Sequence, residues 1–116
     1  MYQTCEKVTL KKNEFRVVEN VLPNIGANKY CFDVEGDGNG IVMSFKNEGI
    51  GDAKITLFAS ENVFCGGDKV IVVPSYSSSV VYLELAPYVQ MNGEYKGKIL
   101  LENIENELSF SVAEIL

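Results

Sequence analysis

Apolar and polar side chains alternate with a two-residue period through residues 79–112, and that period leaves few folds open to the chain. Successive side chains of a strand point to opposite faces, so each run can be sorted by parity. Over residues 80–85, Val81, Leu83 and Leu85 share one face, and Val80, Tyr82 and Glu84 share the other. Over 95–101, Tyr95, Gly97, Ile99 and Leu101 oppose Lys96, Lys98 and Leu100. Over 108–112, Leu108, Phe110 and Val112 alternate with Ser109 and Ser111. Three such runs in succession predict antiparallel strands with one wet face, because parallel strands buried on both sides read as unbroken apolar runs. Leu101, Ile104, Leu108, Val112 and Ile115 also recur at helical spacing. That stripe leaves out Ile99, Leu100 and Phe110, and the Ile-Glu-Asn-Glu run at 104–107 suits a hairpin turn, so the strand reading is preferred.

The same period runs upstream. Residues 6–10 and 15–21 are short candidate strands, the second stopped by Pro23, which has no amide to give a ladder. Residues 30–35 put Tyr30, Phe32 and Val34 inward, with Cys31, Asp33 and Glu35 outward. Residues 41–46 put Ile41, Met43 and Phe45 inward, and the Gly-Asp-Gly-Asn-Gly between these two runs is a hairpin signal. Residues 54–60 put Ile55, Leu57 and Ala59 inward, and the apolar run 69–73 ends at Pro74. Short strands recurring every 10 to 15 residues between turn residues predict an all-β fold. With 116 residues and no internal repeat or linker, one domain is expected over 1–116, with N-terminal strands in 1–27.

Gly93-Glu94-Tyr95-Lys96-Gly97 resembles the start of strand F in immunoglobulin-like domains, where a Gly precedes a Tyr by two residues. The family's second Cys position is Gly97 here and the chain has no Trp, so the likeness shifts to disulfide-free relatives. Those are fibronectin type III-like domains and bacterial Ig-like modules of the CARDB and ASH type. The latter are similar also at Phe45-Lys46-Asn47-Glu48-Gly49 and at Val73-Pro74-Ser75 leading into Val80. Over residues 28–116 the resemblance implies an antiparallel Ig-like β-sandwich of seven to eight strands, with Tyr95 as the corner residue. It also implies a module of a bacterial surface or secreted assembly.

Chemistry is narrowed mostly by what is missing. The chain has no His, which removes Ser-His-Asp and Cys-His nucleophilic sites and the commonest zinc ligand. No Gly-rich run opens a helix with a Lys, and no spacing singles out a carboxylate pair, so an enzyme is not expected and no cofactor is implied. A net charge of −6 and a single basic pair, Lys11-Lys12, argue against nucleic acid. No run of 18 apolar residues predicts membrane insertion, and the start at Met1 has neither the basic nor the apolar region of a signal peptide.

Three sets of residues remain as candidates. Cys5, Cys31 and Cys65 have no metal spacing and are expected as reduced thiols, a disulfide between two of them being the alternative in an oxidising compartment; Cys31 faces outward, which suggests either a partner thiol or a covered face. Asp33, Glu35, Asp37 and Asn39 match the start of a calcium loop, but Ser44 stands where a bidentate carboxylate belongs and the flanks are strands. Glycine and Asn also suit the tip of a hairpin. Val42, Phe58, Tyr82 and Leu100 are outward apolar residues, expected to form a partner-binding face if they cluster. The leading expectation is therefore a non-catalytic protein-interaction or structural module, binding a protein partner or itself. Carbohydrate or calcium binding is the alternative, with tyrosines Tyr76, Tyr82 and Tyr88 as sugar-stacking candidates.

Overall fold

The computed structural model describes residues 2–11, 15–16, 19–23, 28–35, 40–60, 67–105 and 107–116. Among these there is no helix. The strands are β1 (Gln3–Thr4), β2 (Val8–Leu10), β3 (Lys29–Asp33), β4 (Gly40–Asn47), β5 (Ala53–Leu57), β6 (Lys69–Val73), β7 (Ser78–Leu83), β8 (Lys98–Glu102) and β9 (Leu108–Ile115). They form two sheets, ordered β1-β3-β8-β5-β6 and β2-β9-β4-β7. All-β architecture is thus as expected, but the described strands number nine rather than seven to eight, and the ladders are mixed rather than purely antiparallel. β1 runs parallel to β3, and β2 runs parallel to β9. Residues 5–7 carry the chain from one sheet edge to the other, so both parallel pairings come from one N-terminal segment with a fixed direction.

Connectivity departs from the immunoglobulin order as well. An immunoglobulin domain places strands A, B, E and D in one sheet and C, F and G in the other. Here the strands from β3 onward alternate between sheets, β5 and β6 being the one consecutive pair joined in the same sheet. Val21 exchanges two backbone hydrogen bonds with Phe110 (2.9 and 3.1 Å), an antiparallel bridge on the margin of β9. If that bridge is counted as the first position, the order is 1-8-3-6 over 2-7-4-5, the alternation of a double-sheet jelly roll.

Inner-face parity agrees with burial wherever a run stays within one strand. Phe32, Ile41, Met43, Phe45, Ile55, Leu57, Ile99 and Leu101 are completely buried in one core cluster, with Phe110 and Val112 nearly so. Tyr30 meets Phe110 edge-on (centroids 5.3 Å apart), and Phe110 stacks on Phe45 at 6.3 Å, tying the two sheets together at one end. The C-terminal run from Leu108 to Ile115 is strand throughout, and the helical stripe is not used.

Several boundaries differ from expectation. The expected strand over 15–21 is reduced to the Val21 bridge, with 17–18 outside the described residues. Tyr95 and Gly97 belong to a turn before β8, because Gly93 and Gly97 take positive φ (80° and 81°) and Lys98 N bonds back to Tyr95 O. Ala59 lies beyond β5 and is only half-buried. The Asn-x-Gly turn is held by Asn47, whose buried amide donates to Gly51 O (3.0 Å) and Val73 O (3.1 Å) and accepts from Gly49 N (2.9 Å).

Candidate functional site

The four outward apolar residues are not brought together. Register places Leu100 beside Cys31 and next to Phe58, whose amide donates to Leu100 O, on the exterior of the five-stranded sheet. Val42 pairs with Tyr82 on the exterior of the other sheet. One expected face is therefore two pairs on opposite sides of the sandwich.

The two exteriors differ in chemistry. On the five-stranded sheet, Lys29 pairs with Glu102 (3.9 Å) and Lys98 with Asp33 (2.7 Å). The Asp33 carboxylate raises the Lys98 pKa above its ordinary value, first through that hydrogen bond. Tyr2 lies across this side, its hydroxyl donating to Glu102 and its ring meeting Tyr95 edge-on at 5.0 Å. The Tyr95 hydroxyl accepts from Tyr2 N (3.3 Å) instead of closing a corner on its own strand. Cys31, outward by register, is only 2% exposed. The outward cysteine thus sits on a covered face.

The exterior of the four-stranded sheet is nearly free of charge. Its rows run Ser109–Lys46–Ser78, then Ser111–Ser44–Val80, then Val8–Ala113–Val42–Tyr82, then Leu10–Ile115–Gly40. Lys46 is the one charged side chain among these strand positions, and it leans to Glu48 at 3.2 Å. Val80 is 72% exposed and Tyr82 64%. The Tyr82 ring rests over Gly40, where a Cβ would meet the ring and the Leu83 carbonyl oxygen (2.7 Å). Serines and Ala113 alternate with Val42, Val80 and Tyr82 across this face, so most of its side chains carry no charge.

A groove of about 600 Å³ opens at the other margin, lined by Cys5, Lys7, Val8, Val21, Tyr30 and Phe110 among others. Glu114, the partner of the groove-lining Lys7, is completely buried. Its carboxylate accepts from the Lys7 ammonium and, through both oxygens, from the Glu35 amide (3.0 Å each). This network fastens the crossing segment to β9 and to the end of β3. Sequence reading misses it. The signal is present, since Glu114 follows Leu108, Phe110 and Val112 in the inward parity once the strand is carried past Val112.

Cys5 and Cys31 are both free thiols, neighbours at the β1–β3 ladder with Cys5 N donating to Cys31 O (2.9 Å). Burial, then the nearby Cys31, push the Cys5 pKa up to about 12. Cys65 lies outside the described residues, as do Asp37 and Asn39. Of the expected calcium ligands, Asp33 is engaged by Lys98, while Glu35 is exposed and contributes its backbone amide to Glu114. Among the described residues no three acidic, Cys or His side chains group as a metal site would require.

Comparison with protein-family models, with curated proteins and with solved structures finds no match to this chain.

Proposed function

We propose that this protein is a non-catalytic interaction module whose contact surface is the exterior of the β2-β9-β4-β7 sheet. The carrying observation is the contrast between the two exteriors. A chain with 10 basic and 16 acidic residues sets a single charge among the strand positions of one sheet face. That face carries Val42, Val80 and Tyr82 in adjacent rows. Interface centres are depleted in charge and enriched in aromatic residues, and Tyr82 supplies a ring of low conformational entropy beside small neighbours. Of the four outward apolar residues, this reading keeps Val42 and Tyr82 and leaves out Phe58 and Leu100.

The test is affinity capture with the whole chain, followed by calorimetry on the purified partner. Binding should be lost with Ala113→Arg, in the middle of the face, and kept with Lys54→Ala on the opposite sheet. A partner bound equally by the Ala113→Arg variant would refute the assignment. Carbohydrate binding is favoured by two exposed rings, Tyr76 (71% exposed) and Tyr82. A glycan array response lost with Tyr76→Ala would select that reading instead.

A further inference from the structure

Both β6 and β7 are sheet margins, joined by the short link through Pro74 and Ser77. Natural margins are usually blunted by charge, proline or a bulge. β6 opens with Lys69, whereas β7, Ser-Ser-Val-Val-Tyr-Leu, contains no charge, no proline and an unbroken register with β4. In an antiparallel pair, alternate residues bond to the neighbour and the rest point away from it. Among the described residues, β7 has no ladder partner other than β4. Among the described residues nothing takes up its outward row of N–H and C=O groups, and the strand carries two exposed side chains of the face, Val80 and Tyr82.

We propose that β7 is a self-pairing edge, two copies joining antiparallel along Ser78–Leu83 with Val81 on the two-fold axis. That register is chosen by the side chains. It sets Val80 opposite Tyr82 of the second copy, twice by symmetry, an aromatic–β-branched pair of the kind that stabilises ladders. Ser79 then faces Leu83, and Ser78 faces Glu84, so no acid meets an acid. This matters for a chain of net charge −6, whose copies otherwise repel. The joined sheets form one continuous sheet across the two-fold axis, doubling the nearly uncharged exterior. The inference rests on the contact-module reading and deepens it by naming the occupant of its open margin, and it can fail separately.

The experiment is light scattering of the full chain over rising concentration, with circular dichroism confirming that each variant keeps its strands. The wild type should pass from monomer to dimer. Tyr82→Lys and, separately, Val80→Asp should each weaken the dimer at least about tenfold, equivalent to about 1.4 kcal/mol. The double variant Val80→Asp/Tyr82→Lys should recover it, because the carboxylate introduced in each copy then opposes the ammonium introduced in the other. Lys54→Ala, on the opposite sheet, should leave it unchanged. A wild type that stays monomeric overturns self-pairing while leaving the test with a heterologous partner intact. A dimer broken by Ala113→Arg but not by Tyr82→Lys assigns face-to-face stacking and overturns the edge. A double variant no stronger than the single ones overturns the register.

Discussion

Replacing Lys7 by Met removes the ammonium from the carboxylate of Glu114. Glu114 is fully buried, and Lys7 shows only 15% of its side chain to solvent. After the substitution, Glu114 keeps one donor among the described residues, the Glu35 amide at 3.0 Å. Breaking a buried ion pair by taking one partner costs about 3–5 kcal/mol, chiefly because a charge is left uncompensated in a poorly solvating place. The surviving amide places the expected loss at the lower end, about 3 kcal/mol. For a chain of this length, that lowers Tm by roughly 10–15 °C, and it is a large share of the roughly 5–15 kcal/mol that holds a domain together. Urea unfolding followed by circular dichroism measures the free energy, and a thermal scan measures the shift. Lys7→Met/Glu114→Leu should recover most of the loss. It replaces both charges with packed apolar volume and leaves one amide short of a partner, a residual cost of about 1 kcal/mol. If Lys7→Met alone changes stability by less than about 0.5 kcal/mol, the range of an ordinary surface substitution, Lys7 and Glu114 do not form a buried ion pair.

Four further outcomes follow from other parts of the structure. Asn47→Ala leaves Gly51 O, Val73 O and Gly49 N without their buried partner. It should cost roughly 2–4 kcal/mol in urea unfolding, whereas Lys54→Ala, at an exposed position of β5, should be near neutral. Gly40→Ala drives a methyl against the Leu83 carbonyl and the Tyr82 ring, and should destabilise by about 1–3 kcal/mol while changing the tyrosine fluorescence. Cys5 ionises near 9.0 when unfolded but only near 12 when folded. The folded state thus holds the proton more tightly, so stability is full below about pH 9 and falls as pH rises from there towards 12. The slope of the urea midpoint against pH above 9 should diminish in Cys5→Ala. Iodoacetamide at about pH 8, followed by peptide mapping, should label Cys5 and Cys31 far more slowly than the unfolded chain.

Parity makes the core legible. Ile41, Met43, Phe45, Ile99, Leu101 and Phe110 read as inward from alternation alone, and each lies in the core. That works because the strand period is fixed by backbone geometry and burial is set by which face a residue occupies. Tyr95 departs from its expected strand for a local reason. The glycines on either side of it turn the chain, so the run of alternation crosses a turn. Glu114 escapes a sequence reading because a lone acid after several alternating positions looks like a strand end. Only its distant partners, Lys7 and Glu35, make it a buried group. The contact set fails in a different way. Parity says inward or outward, but it does not say which sheet a strand joins. Phe58 and Leu100 therefore group with Val42 and Tyr82 in the sequence, although they face the opposite side.

Strand formation, the course of most strands and the side chains withdrawn from water are all written locally, because each follows from one residue and its near neighbours. Three features are not. The N-terminal segment pairs parallel to both sheets, Cys31 is covered although it points outward, and one exterior is paired charge while the other is nearly bare of it. Strand order depends on contacts between residues far apart along the chain, such as Gln3 with Tyr30 or Lys7 with Glu114. Their formation turns on the balance of loop entropy against packing over the whole molecule, and no local pattern records that balance.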